Sequence, residues 1–263
     1  MQDMYLAAAE PLLRQETGLQ EAKDQSRIIK VFGPGESQVE DLLGEILDRQ
    51  QDYGIALLAQ EGEVTIKISV DDPDPEKVRQ RLDQLCNSIV DALGPNVIGT
   101  GEDTLPGVVA KLLLKKGMSL AAVESCSGGL LSKMITDLPG SSKYFWGSVV
   151  SYSNQAKQDL VGVKGNTLQD YGAVSRETAV EMAVGIKNLS GVDIALSITG
   201  IAGPDGGSDE KPVGLVYIGL AYKDTIEVKE MRFVSDRIGI RTLAAKSALD
   251  LVRRYLLAEE GAK

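Results

Sequence analysis

Ser141, Ser142 and Lys157 are residues whose types suit nucleophilic catalysis by an activated hydroxyl in this chain. None of the 263 residues is a histidine. That excludes Ser-His-Asp and Cys-His arrangements and most catalytic zinc sites. Acid–base chemistry must therefore use Lys, Asp, Glu, Tyr or Cys. A serine is a weak nucleophile until a base takes its proton. A lysine serves as that base only if its pKa falls from about 10.4 to roughly 7–8, which burial or a nearby positive charge achieves.

Three segments offer the setting. Glu124-Ser-Cys-Ser-Gly-Gly129 lies where a strand hands over to a helix. The unpaired first-turn N–H groups of such a helix favour an anion, and Ser125 and Ser127 add hydroxyl donors. A capped helix start with glycines for a sharp turn is an equal reading. Pro139-Gly-Ser-Ser142 is followed one strand later by Tyr152-Ser-Asn-Gln-Ala-Lys157. Spacing alone favours the plainer reading there, a turn and a solvated lysine. The run from Ser197 to Gly207 is a strand entering a glycine-rich loop, a favoured ligand position in α/β sheets. It is not a Walker loop, because no Gly-Lys-Ser/Thr follows. Cys126 at the helix start is a second candidate nucleophile; its plainer role is a small buried apolar residue.

The elements that position these residues read as two α/β units. Residues 1–26 read as a short helix followed by a polar linker. Residues 27–100 read β-α-β-β-α, with a final strand near Val97. Ser37 and Glu40 form a capping box for the first helix of that unit, and Val64, Ile66, Ile68 and Val70 alternate as in a half-buried strand. Residues 101–263 alternate strands and helices and close on a hairpin and a long helix over about 238–257. That pattern predicts a mixed sheet covered by helices, preceded by a small α+β domain.

The net charge of −10 argues against nucleic acid as a partner, since a polyanion attracts basic surfaces. No apolar run approaches the roughly 20 residues that span a bilayer, and the acidic, alanine-rich start lacks a secretory signal. The expected location is cytoplasmic, away from membranes. Two cysteines, Cys86 and Cys126, are too few for a disulfide framework.

Glu124–Gly129, Pro139–Ser142, Tyr152–Lys157, Gly172-Ala-Val-Ser175, Thr199-Gly-Ile-Ala-Gly-Pro204 and Lys211-Pro-Val-Gly214 occur in one order. Together they resemble the C-terminal domain of the CinA family, competence/damage-inducible proteins that include nicotinamide-nucleotide amidases. Lys30–Ser37 and Glu61–Val64 resemble the family's KH-like middle domain. Full-length members begin with a molybdopterin-binding-like domain; residues 1–26 resemble only its last helix, so most of that domain is expected to be missing. Ser127 stands where the family usually has Thr, and both carry a hydroxyl.

The resemblance implies deamidation of nicotinamide mononucleotide by a Ser–Lys mechanism, without metal or organic cofactor. It makes Ser142 the nucleophile, Lys157 the base and Tyr152 an oxyanion partner. Thr199 and Gly200 would meet the substrate, Arg237 or Arg241 would contact it or support the site, and the turn of Ser125, Ser127, Gly128 and Gly129 would hold its phosphate. The implied assembly is a homodimer, and the implied partner a pyridine nucleotide. Two other functions fit the residues: a non-catalytic nucleotide-binding regulatory module, and an amidase that uses Cys126 on another small amide.

Overall fold

The computed structural model describes residues 26–48 and 53–261; the helix expected within 1–26 falls outside them. The first unit holds β1 (Ser26–Phe32), α1 (Glu36–Asp48), β2 (Gly54–Gln60), β3 (Glu63–Ser69), α2 (Pro75–Leu93) and β4 (Val97–Thr100). Its sheet has the order β2-β3-β1-β4 and is antiparallel throughout. The alternation read in β3 holds. Val64, Ile66 and Ile68 are buried and meet Val39 and Leu43 of α1 and Val78, Leu82 and Ile89 of α2. The capping box does not form: Ser37 lies inside α1, and Gln38 Oε1 reaches back to accept from Gly35 N–H at 3.0 Å.

The second unit runs α3 (Leu105–Lys116), β5 (Leu120–Glu124), α4 (Leu130–Thr136), a 3-10 turn (Ser141–Lys143), β6 (Phe145–Val150), α5 (Asn154–Val161), α6 (Gly165–Tyr171), α7 (Arg176–Ser190), β7 (Ile194–Gly200), β8 (Leu215–Tyr222), β9 (Thr225–Arg232) and α8 (Arg237–Gly261). Sheet order is β6-β5-β7-β8-β9. The first three strands are parallel; β8 and β9 are antiparallel additions. β5 is buried along its whole length, and β7 up to Gly200, as expected of central strands covered on both faces. α3, α4 and α8 cover one face, and α5, α6 and α7 the other. Short helix α6 escaped the sequence reading, because its seven residues carry too little apolar period to register.

Helix α8 also joins the two units. Phe32 of β1 is buried in the core beneath it. Lys246 Nζ donates to Glu61 O at 3.2 Å and pairs with Glu63 at 2.9 Å. Arg253, 1% exposed, pairs with Asp250 and donates to Val97 O at 2.9 Å. Among the described residues no helix is long and apolar enough to cross a membrane.

Candidate active site

The parallel strands deliver their following residues to one end of the sheet. β5 ends at Glu124 and β6 at Val150, which sit in register. Ser151 N–H then donates to Glu124 O, and Ser125 N–H to Ile198 O of β7, both within 2.9 Å. Helix α5 starts three residues beyond Ser151. Its cap is Ser153, whose Oγ accepts from Ala156 N–H at 3.1 Å, and its first turn carries Lys157 back over the strand ends.

Lys157 is 1% exposed. Its Nζ lies 2.9 Å from Ser125 Oγ, 2.8 Å from Ser151 O and 3.5 Å from Tyr152 O. Burial pulls its pKa below the ordinary lysine value, opposed only by the neighbouring Cys126 sulfur. The aliphatic stem and amine are thus held in a dry site, where the charged form is disfavoured.

The serine beside Lys157 is therefore Ser125, not Ser142. Ser142 sits on the exposed 3-10 turn that precedes β6, whereas Lys157 follows that strand. At about 3.3 Å per residue, the strand's six residues put roughly 20 Å between its two ends. A dyad within one chain does not bridge that distance.

Glu124 is fully buried at the end of β5. Its Oε2 accepts from Ser127 Oγ at 2.7 Å, Gly129 N–H at 3.0 Å and Leu131 N–H at 3.1 Å. Its Oε1 accepts from Ser132 N–H at 2.9 Å and Ser132 Oγ at 2.5 Å. The start of α4 thus already has its anion, as the exposed N–H groups of a helix N-terminus prefer. Three donors of the Ser125–Gly129 turn, where a phosphate contact was expected, are engaged within the protein. Ser127 is buried and donates to Glu124, Gly129 N–H does the same, and Gly128 N–H donates to Ser125 O at 3.0 Å. Gly128 and Gly129 have φ of +60° and +92°, a conformation glycine adopts without strain, and this lets the chain turn around the carboxylate.

Thr199 is also internal: its Oγ1 donates to Ala173 O at 2.6 Å and ties the Gly172–Ser175 segment to the end of β7. A Cβ on Gly200 would lie 2.7 Å from Val216 Cγ2, so packing accounts for that glycine. Arg241 donates twice to Ser127 O, at 3.2 and 2.8 Å. Arg237, one turn earlier and exposed, donates to Tyr152 OH at 3.0 Å and to Gly203 O. Tyr152, 60% exposed, is thereby placed at the mouth of the site. Cys126 is buried, and its thiol is pushed up to about 11 by desolvation, partly opposed by backbone N–H groups. It stays protonated at neutral pH, which removes the thiolate that a cysteine nucleophile requires.

Sequence reasoning missed Glu124 as the organiser of the turn and Ser151 as a neighbour of Lys157. Ser151 Oγ is buried without a partner, although its carbonyl receives Lys157. A buried acid that closes a strand just before a Ser/Gly turn was the available signal for Glu124; Ser151 carried none. Among the described residues no group of His, Cys, Asp and Glu is placed to hold a metal ion.

Residues 102–256 match the model of the CinA C-terminal domain, and residues 26–99 that of the damage-inducible protein CinA KH domain. The chain belongs to the CinA family. A CinA-like protein of Syntrophomonas wolfei is 55% identical over 88% of this chain and 55% of its own length. A putative competence-damage inducible protein of Thermoanaerobacter pseudethanolicus is 44% identical over 97% of this chain and 60% of its own. The chain thus spans little more than half the length of these relatives. Among solved structures, a CinA superfamily protein of Klebsiella pneumoniae superposes with a TM-score of 0.57 at 34% identity, over 59% of this chain and 96% of its own. The competence/damage inducible protein of Agrobacterium tumefaciens gives 0.55 at 37%, over 59% of this chain and 97% of its own.

Proposed function

We propose that this CinA-family domain hydrolyses a carboxamide, that of nicotinamide mononucleotide, with Lys157 as base and Ser125 as nucleophile. The observation that carries the reading is the 2.9 Å contact between Ser125 Oγ and the buried Lys157 amine. A neutral amine has two N–H bonds and one lone pair. The carbonyls of Ser151 and Tyr152 accept the two N–H bonds, and the lone pair then faces the Ser125 hydroxyl. As Ser125 Oγ attacks the carboxamide carbon, its proton passes to Lys157 Nζ. The same proton goes on to the amide nitrogen, which leaves as ammonia. Water then hydrolyses the nicotinoyl ester, with Lys157 accepting its proton and Ser125 recovering one. Tyr152 OH at the mouth supports the oxyanion. Arg237, exposed and linked to Tyr152, offers the guanidinium for the nucleotide phosphate.

The test is ammonia release from nicotinamide mononucleotide, with nicotinamide as the poor substrate. Ser125→Ala and Lys157→Arg are each expected to lower turnover by at least 100-fold, within the range for a lost nucleophile or base. Arginine keeps the charge but does not deprotonate at working pH. Ser142→Ala is expected to stay within about threefold of the parent. Loss of turnover in Ser142→Ala with retention in Ser125→Ala refutes the assignment.

A further inference from the structure

A cavity of about 520 Å³ lies at the junction of the two units, on the α8 side of the sheet and away from Lys157. One wall is the small domain, with Phe32, Gly33 and Gly62. The opposite wall is the end of β9, with Met231, Phe233 and Val234, together with Leu243 and Leu251 of α8. Gly62 keeps the walls close: at φ +79° its absent Cβ would lie 2.5 Å from Leu243 Cδ2. Ser247 is buried and lines the cavity, and none of the hydrogen bonds among the described residues is made by its hydroxyl. Of the charged residues that line it, Lys229, Arg232 and Arg254 are cationic and Asp250 alone is acidic, in a chain whose net charge is −10. Asp250 is already paired with Arg253 and Arg254. On β9, Lys229 pairs with Glu227 on the face it shares with Met231, a contact weak enough to exchange for a better anion, while Arg232 pairs with Glu230 on the opposite face.

We propose that this cavity is a binding site for a small aromatic or otherwise apolar molecule that carries one anionic group. The volume lies within the range of small-molecule sites, which favour domain junctions with apolar walls and a few polar anchors. The ring system packs between Phe32, Phe233 and Leu251. Ser247 Oγ supplies the single internal hydrogen bond, and the anion meets Lys229 at the rim. Because the two walls belong to different units, an occupant ties the small domain to the base of α8.

The test uses 8-anilinonaphthalene-1-sulfonate on the folded chain, followed by fluorescence titration, with N-phenyl-1-naphthylamine as the uncharged counterpart. Saturable one-to-one binding is expected, at least tenfold weaker for the uncharged dye. Ser247→Phe, which fills the cavity, is expected to abolish it while the near-ultraviolet circular dichroism is unchanged. Should Ser247→Phe not fold, the exposed Lys229→Gln decides alone, with affinity for the sulfonate expected to fall at least fivefold. Non-saturable binding, equal affinity for both dyes, or unchanged affinity in the variant that decides overturns the proposal. Activity is not part of the readout, so failure here leaves the amidase assignment untouched.

Discussion

Glu124→Gln tests whether a buried carboxylate holds the active-site turn. The carboxylate accepts five hydrogen bonds, two on Oε1 and three on Oε2. Glutamine keeps the volume but turns one oxygen into a donor. Its best orientation places NH2 toward Ser132, whose hydroxyl can rotate to accept. Ser132 N–H is then left facing another donor, a loss of about 1–3 kcal/mol for an orphaned buried group. The three bonds on the remaining oxygen fall from charged to neutral strength, about 1 kcal/mol each. Relief of the buried charge returns part of this, which leaves a net loss of roughly 2–4 kcal/mol. For a domain of this size, that is a fall of about 4–16 °C in the unfolding midpoint. The assay is thermal unfolding followed by the emission of Trp146, the single tryptophan, which stands on β6 of the same domain. A midpoint within about 2 °C of the parent would refute the account of Glu124 as the organiser of the turn.

Lys157→Met removes the buried amine. Because the folded pKa of Lys157 is lowered, the unfolded chain binds a proton that the folded one lacks between the two pKa values, so stability rises with pH there and carries the full penalty below it. The variant is therefore expected to gain stability over the parent at pH 6 and to lose that advantage toward pH 10, with no ammonia release. A stability difference independent of pH would show that burial does not govern this lysine. Gly185→Ala, in mid-helix α7, gains about 1 kcal/mol on helix propensity alone. Its Cβ, however, would lie 1.8 Å from Val161 O of α5, so a net loss of about 1–3 kcal/mol is expected, and a raised unfolding midpoint would show the contact to be soft.

Elements with strong period or punctuation were legible. β5 ends at Glu124 and α4 begins at Leu130, the strand-to-helix handover read at Glu124–Gly129. α3 stops at Gly117, which takes the left-handed conformation, and Ser175 caps α7 with its side chain on Thr178 N–H. What failed was local competition. Ser37 and Glu40 have the capping-box spacing, yet the helix begins one residue earlier. Gly185 carried no signal at all, because its cause is the backbone of a helix more than twenty residues away.

The site was legible by residue type and illegible by pairing. The absence of histidine pointed to a lysine and the family resemblance to Lys157, whose burial follows from one helical turn placed over the end of a parallel strand. Which serine it meets depends on strand adjacency, which neither spacing nor composition reveals. Ser142 is nearer in sequence, fifteen residues from Lys157 against thirty-two for Ser125, but a whole strand lies between them. Ser125 is brought in because β5 and β6 run parallel side by side, so the residues following each strand share one edge of the sheet. In a parallel α/β sheet, two residues that each follow a strand meet, whereas one that precedes a strand lies a strand's length from them. That rule selects Ser125 once the β5–β6 pairing is known, and the paired Ser125→Ala and Ser142→Ala assays measure it.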